Sequence, residues 1–146
     1  MLDYAGRTVR RDPMQDVMIN RRSLFAALAA FAIVAAAPAQ AYEVQPYNSA
    51  LVAKTIASGK PVIVHVYASW CTQCHIQAGY LENLKADKAY EGVQVFHVDY
   101  DGQKDVVTKL NCSRATVIGY KAGAEVGRMS FGIMKSDVTG VMNKAL

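Results

Sequence analysis

The stretch PVIVHVYASWCTQC, residues 61–74, decides the fold because it joins a strand pattern to two closely spaced cysteines. Residues 62–67 are almost continuously apolar and rich in β-branched side chains, which is typical of a strand buried on both faces. Residues 71–85 predict a helix. The apolar side of that helix is predicted to carry Ile76, Tyr80, Leu81 and Leu84. Cys71 and Cys74 are therefore expected where a buried strand ends and a helix begins.

The position of Cys71 at a helix N-terminus favours thiolate chemistry. The free N–H groups and the positive end of the helix dipole stabilise a thiolate there, so the pKa of Cys71 is expected below the free value of about 8.5. Cys71 would attack a disulfide, and Cys74, one helical turn further on, would resolve the mixed disulfide. A purely structural disulfide is the alternative, although so short a loop removes little chain entropy.

Strand and helix signals alternate through the rest of the chain. A helix capped by Ser49 is predicted to run to Ile56, and Ser136 is predicted to cap the last helix. Between them lie a strand over 93–98, a short helix over 103–110, and strands over 116–120 and 125–129 that read as a hairpin. This order predicts an α/β domain over residues 42–146, with a central mixed β-sheet flanked by helices on both faces.

Three of these segments resemble the thioredoxin family, and the likeness extends over roughly residues 47–146. Residues 61–74 are similar to the family's strand, tryptophan and active-site motif. Residues 97–101 resemble its next strand and acidic turn, and residues 120–125 resemble its final hairpin. The resemblance implies a thioredoxin-like fold.

The resemblance also implies a protein-disulfide oxidoreductase with Cys71 as nucleophile and Cys74 as resolving thiol. Trp70 and the segment Arg114-Ala115-Thr116 would contact the substrate or support the site. The partners would be proteins that carry thiols or disulfides, the protein would be a monomer, and neither a cofactor nor a metal is expected. Thr72-Gln73 between the cysteines does not fix the direction of electron flow, although a reductase is favoured over an oxidase.

Two residues depart from the family pattern. Ala115 occupies the position of a cis-proline that shields the thiols and binds substrate in the family, and the peptide bond before it is expected to be trans. An unshielded dithiol would dock substrate less well and could accept a metal, but the favoured expectation is that the loop rearranges and the activity survives. His65 occupies the position of a buried acid, where it could act as the proton shuttle for the resolving thiol or serve only as a core histidine. His97 is expected to face His65 from the adjacent strand.

Other cysteine and histidine patterns keep alternatives open. Cys71-Thr-Gln-Cys-His75 also matches the attachment motif of c-type haem, with His75 as axial ligand and Met129, Met134 or Met142 as a second ligand. The alternatives are thus a metal- or haem-binding protein, or a thioredoxin-fold binding module without turnover. Cys112 is interpreted as a small, partly buried residue or as a regulatory thiol.

Residues 1–41 are interpreted as a cleavable signal peptide. Arg21-Arg22 precede an uncharged apolar stretch, residues 24–37, and an A-x-A pattern follows before Tyr42. Met18 is a candidate for the true start, and an uncleaved membrane anchor is the less favoured alternative. Export predicts a periplasmic protein in an oxidising compartment, where a reductase would need electrons from a membrane donor.

Composition excludes some classes of function. The net charge of the chain is +4, and the first 41 residues hold five arginines and three aspartates, which leaves about +2 for the remainder. That value is too small to indicate a nucleic-acid surface, so no nucleic acid is expected as a partner.

Overall fold

Five strands form one mixed sheet in the computed structural model, which describes residues 40–146. The strands are β1 (Val44–Pro46), β2 (Val62–Tyr67), β3 (Gln94–Asp99), β4 (Thr116–Lys121) and β5 (Ala124–Ser130). Their order across the sheet is β1-β3-β2-β4-β5. The first three run parallel, β4 runs antiparallel to β2, and β5 runs antiparallel to β4. β2 therefore occupies the centre of the sheet, as its apolar sequence predicts.

In the described part of the chain, four α-helices cover the two faces of this sheet. They are α1 (Ser49–Ala57), α2 (Thr72–Leu84), α3 (Lys104–Lys109) and α4 (Lys135–Ala145), with a 3-10 turn at Lys88–Tyr90. Buried side chains of α1 and α3 pack on one face, and those of α2 and α4 pack on the other. The predicted fold class is confirmed. Within residues 40–146, no helix is both long enough and apolar enough to cross a membrane.

Successive side chains of β2 lie on opposite faces of the sheet. This alternation places them in two core clusters and sets the direction of the His65 side chain. Val62, Val64 and Val66 pack with the α1 and α3 cluster, whereas Ile63 packs with the α2 and α4 cluster. Since successive side chains of a strand point to opposite faces, His65 shares the face of Ile63 and points towards α2. The strand therefore directs one polar side chain under the helix that carries the cysteines.

The first described residues are hydrogen-bonded to the end of α2. The N–H of Ala41 donates to the carbonyl of Lys85 at 2.8 Å, and the N–H of Gly92 donates to the carbonyl of Ala41 at 3.4 Å. The next residue, Tyr42, is buried, and its hydroxyl donates to the carbonyl of Leu81. These contacts order the segment that precedes β1.

Two helix caps differ from the sequence prediction. Asn48, not Ser49, caps α1, since its Oδ1 accepts the N–H of Leu51 at 2.9 Å. The last helix begins at Lys135, and Asp137 Oδ2 accepts the N–H of Met134 at 2.9 Å, so Ser136 is not its cap. Both errors arise because several neighbouring residues can cap a helix and backbone geometry selects one of them.

The apolar face predicted for α2 was partly wrong. Leu81 and Leu84 are buried as predicted, but Ile76 is exposed. Gln77 is fully buried in its place. A hydrophobicity pattern places glutamine outside because it does not include the partners that satisfy a buried amide.

Candidate active site

The two cysteines lie at the N-terminus of α2, where they form a disulfide. Cys71 is the N-cap residue of the helix, and its Sγ accepts the N–H of Cys74 at 3.2 Å. Only 3% of Cys71 is exposed and none of Cys74. When the pair is reduced, the same N–H and the helix dipole stabilise a thiolate on Cys71. The more accessible sulfur is thus also the one that the helix activates.

Ala115 packs directly over this disulfide. It is fully buried in a cluster with Ala68, Cys71 and Cys74. Its N–H donates to the carbonyl of Val66 at 2.9 Å, which anchors the loop to the end of β2. The Arg114–Ala115 bond is trans, as predicted. The alanine takes a left-handed backbone, with φ 53°, that brings it against the cysteines. The dithiol is therefore covered, which agrees with the favoured expectation that the loop rearranges and not with an unshielded pair.

Trp70 presents an exposed ring beside the cysteines. The ring is 59% exposed, and its Nε1 donates to Asp101 Oδ2 at 2.7 Å. This hydrogen bond, together with Lys104, lowers the pKa of Asp101. The interaction fixes the plane of the indole while more than half of the side chain stays exposed, which suits contact with another protein.

Arg114 lies between two aromatic rings at the edge of the site. Its guanidinium carbon is 5.1 Å from the ring centre of Trp70 and 5.5 Å from that of Phe131. Its Nε is buried and has no hydrogen-bond partner among residues 40–146. Stacking on aromatic faces holds the cation at the surface without neutralising it.

Apolar side chains continue this exposed surface around α2. Trp70 and Phe131 are joined by Ile76 at the first turns of the helix and by Ile133 and Met134 in the loop that leads to α4. We call these five residues the apolar rim. Exposed apolar side chains concentrated near a reactive disulfide are typical of a surface that binds another protein.

His75 is exposed, and its ring is hydrogen-bonded to the end of β2 and the residues that follow it. Its Nε2 donates to the carbonyl of Ser69 at 2.7 Å, and its Nδ1 lies 3.0 Å from the hydroxyl of Tyr67. A c-type haem would require this ring as an axial ligand and both sulfurs as thioethers. Both ring nitrogens are instead engaged, and the sulfurs are joined to each other. In the described part of the chain, no three His, Cys, Asp or Glu side chains are arranged to hold a metal ion.

Behind the disulfide, the buried side chains of His65 and Gln77 and the half-buried side chain of His97 form a hydrogen-bonded line. His97 Nε2 lies 3.0 Å from His65 Nδ1, and His65 Nε2 lies 3.0 Å from Gln77 Oε1. The two imidazoles stack with their centres 4.7 Å apart, since their residues are paired in register on β2 and β3. The expected approach of His97 to His65 is confirmed.

Burial favours the neutral form of both histidines. Desolvation, followed by the neighbouring His97, lowers the pKa of His65 from 6.5 to about 3. Desolvation also lowers the pKa of His97. A proton shuttle near neutral pH needs a group that both gains and loses a proton there. The lowered pKa of His65, and the engagement of its two nitrogens by Gln77 and His97, favour the interpretation of His65 as a core histidine over a proton shuttle.

Gln77 is the functional residue that sequence reasoning missed. Its Nε2 donates to the carbonyl of Ala115 at 3.0 Å and to that of Gly132 at 2.8 Å. One signal was present in the sequence: Gln77 follows Cys74 by three residues, so the two share a side of the helix. A glutamine on the same side as a buried cysteine needs buried partners.

Two further predicted residues lie at the edges of the site. Thr116 is fully buried in β4, where its hydroxyl lies 2.8 Å from that of Ser130. Cys112 is a free, half-buried thiol that packs with the α1 and α3 cluster rather than with the disulfide. Burial raises the pKa of Cys112, which reduces its thiolate fraction at neutral pH.

The fold and the cysteine pair define a thiol–disulfide oxidoreductase. The profile of the Thioredoxin family matches residues 42–144. The chain therefore belongs to the thioredoxin family, and the resemblance drawn from its sequence is confirmed.

Individual relatives agree with this assignment. Thioredoxin-2 of Saccharomyces cerevisiae is 38% identical over 85 residues, which covers 57% of this chain and 75% of that protein. The crystal structure of Trxlp from Edwardsiella tarda superposes with a TM-score of 0.65 at 36% identity, covering 68% of this chain and 98% of that one. The thiol:disulfide interchange protein DsbE of Vibrio cholerae is 32% identical over 56 residues, 38% of this chain but only 28% of that protein.

Proposed function

We propose that this protein works outside the cytoplasm as a reductase of disulfides in exported proteins. The observation that carries the proposal is the apolar rim beside a helix-capping cysteine. A small disulfide needs access to one sulfur, whereas a protein disulfide needs a surface on which its flanking chain can lie. Proteins exported to an oxidising compartment would be the clients, and the protein acts on them as a monomer.

The chemistry proceeds in two exchanges. The thiolate of Cys71 attacks one sulfur of the client disulfide, so that the client's S–S bond breaks and its other sulfur leaves as a thiolate. The thiolate of Cys74 then attacks the Sγ of Cys71 and releases the second client sulfur. Each released thiolate takes a proton from solvent. The pair ends as the Cys71–Cys74 disulfide seen here, having given two electrons to the client.

Sustained reduction requires that the disulfide be reduced again. A membrane-bound thiol donor is the proposed electron source, because an oxidising compartment holds no large pool of reduced thiols. The name of the DsbE relative describes thiol:disulfide interchange, which agrees with the exchange chemistry proposed here.

The export proposal rests on residues 1–41, in which a positively charged segment precedes an apolar stretch and an A-x-A pattern. The test fuses these residues to a reporter enzyme that becomes active only after export and disulfide formation. We expect activity with the natural segment and none after Arg21→Glu and Arg22→Glu together with a charge within the apolar stretch. Retention of the natural fusion in the cytoplasm would overturn the proposal.

The direction of electron flow is tested by a redox titration of the Cys71–Cys74 pair against glutathione. A midpoint near that of thioredoxin, about −270 mV, supports a reductase. A midpoint near about −120 mV would instead identify an oxidase that donates its disulfide. Cys112→Ser protein is the matched preparation, since it leaves only the two titrating sulfurs.

A further inference from the structure

The amide of Gln77 has one possible orientation. On one side of the Gln77 amide lie the carbonyls of Ala115 and Gly132. Because carbonyls only accept hydrogen bonds, the NH₂ group of the amide faces them. The oxygen Oε1 therefore faces His65 and must receive a hydrogen from Nε2 of that ring. The buried amide is fully satisfied by three protein groups.

This orientation also fixes the protons on both histidines. A neutral His65 that carries its hydrogen on Nε2 has a lone pair on Nδ1, which accepts the Nε2–H of His97. Every hydrogen bond in the line then points from β3 through β2 towards α2. His65 acts as a donor that holds the glutamine, and the glutamine acts as a donor that holds two loops.

One of the two loops held by Gln77 covers the disulfide, and the other belongs to the apolar rim. Ala115 is packed on the two cysteines, and Gly132 follows Phe131 in the apolar rim. The two loops are also joined to each other, since the N–H of Phe131 donates to the carbonyl of Ala115 at 2.8 Å. Ala115 and Phe131 have φ values of 53° and 62°, a left-handed backbone that residues with a β-carbon adopt only when their surroundings enforce it.

We propose that Gln77 is a positioning residue, oriented by His65, which ties the Ala115 and Gly132 loops to the cysteine-bearing helix and so sets the redox equilibrium of the cysteine pair. The amide holds the loop against the sulfurs in the place where the family uses a proline. Loosening the loop admits water to the sulfurs, and water stabilises a thiolate more than it stabilises a disulfide. The pair therefore becomes easier to reduce when the amide is lost.

The test compares Gln77→Met with Leu81→Met in the full chain. Methionine keeps the length of glutamine but neither donates to the loops nor accepts well from His65. Leu81 is buried one turn further along the same helix, so the control introduces the same side chain without touching the loops. Amide hydrogen exchange is measured at Phe131, with Val64 and Phe96 in the central strands as references.

For Gln77→Met, we expect exchange of the Phe131 amide to accelerate at least tenfold while the reference amides stay unchanged. The equilibrium constant against glutathione is expected to move tenfold towards the reduced pair, which is about 30 mV for a two-electron couple. Leu81→Met should change neither quantity by more than twofold. Unchanged exchange at Phe131, equal acceleration at all amides, or an unchanged equilibrium constant would each overturn the proposal.

A double variant distinguishes the positioning role of Gln77 from its contribution to the stability of the fold. His65→Leu combined with Gln77→Met removes a donor and its acceptor together, so no buried N–H of His65 is left unpaired. If the single variant does not fold, the same measurements are made on this double variant with the same expected changes. The measurements require only that the pair titrates, so they do not depend on export, on client identity or on the direction of electron flow.

Discussion

The strand–helix junction that carries the cysteines and the two loops that face it are built in different ways. At the junction the backbone is ordinary: Cys71 has an extended conformation, with φ −96°, and α2 begins directly after it. In the facing loops, Asn111, Ala115 and Phe131 all have left-handed φ values. The junction thus has an unstrained backbone, whereas the facing loops have a backbone that their tertiary contacts must hold.

This difference means that the reactivity of the cysteine and the conformation of the facing loops have separate structural origins. The junction makes a reactive sulfur from local features alone, namely a cysteine at a helix N-terminus and a second cysteine one turn later. The loops depend on distant residues, since the Ala115 carbonyl is held by both Phe131 and Gln77. A left-handed residue with a β-carbon costs about 1–2 kcal/mol, which tertiary contacts must offset. The following changes act on one side or the other.

The largest effect is expected at the junction. Cys71→Ser should abolish reduction of a protein disulfide, because no thiolate remains to make the first attack. Cys74→Ser should instead accumulate mixed disulfides between Cys71 and clients, which non-reducing electrophoresis detects. Cys112→Ser is the control and should retain activity within twofold. Disulfide reduction by Cys71→Ser protein would show that another sulfur starts the exchange.

The next effect concerns the loop that faces the cysteines. Ala115→Pro should lower the free energy of unfolding by about 3 kcal/mol, because proline fixes φ near −65° and removes the N–H that binds the carbonyl of Val66. Urea denaturation measures this change. Ala115→Gly is the matched variant: glycine accepts the observed φ of 53°, so its change should stay within about 1 kcal/mol. A proline variant as stable as the parent would mean that the loop can adopt another backbone.

A smaller effect depends on pH and arises beneath the site. Folded protein keeps His65 neutral down to a pKa of about 3, whereas the unfolded chain protonates it near 6.5. The unfolded state therefore binds more protons below pH 6.5, and the free energy of unfolding falls as the pH is lowered towards 3. The contribution of His65 is about 2 kcal/mol between pH 8 and pH 5.

Comparison with His65→Leu isolates this contribution from that of other groups. The stability of the variant should fall by about 2 kcal/mol less than that of the parent over the same pH interval, as urea denaturation at both pH values would show. His97 remains in both proteins, and its lowered pKa acts in the same direction in each. Equal losses in the two proteins would mean that His65 takes up a proton in the folded state.

The smallest effect concerns client choice at the edge of the apolar rim. Arg114 has no carboxylate partner in the described part of the chain, so it should favour acidic residues near a client disulfide. Arg114→Glu should reduce kcat/KM for a peptide disulfide with acidic flanks up to about fivefold, less at high salt. Lys121→Glu makes the same charge change at the far end of β4. An equal loss for both variants would contradict a local role.

The sequence was sufficient to predict the strand–helix junction but not the backbone of the two loops that face it. The boundaries of β2 and α2 were predicted to within one residue because strand composition and helix N-terminal chemistry are local. The approach of His97 to His65 was also expected, from the resemblance to the thioredoxin family, and the parallel register of β2 and β3 provides it. The left-handed Ala115 and Phe131 carry no comparable signal, because their backbone follows from contacts with residues far along the chain. β1, with only three residues, was too short to be recognised.

The anchoring of Ala41 to Lys85 has a practical consequence. Lys85 follows the last residue of α2, and α2 is 13 residues long, so this attachment lies about 20 Å along the helix axis from the cysteines. The described chain thus begins at the end of the helix remote from the sulfurs. An affinity tag or a fluorescent protein joined at residue 40 is therefore attached at the opposite end of α2 from the cysteines, where a client would bind.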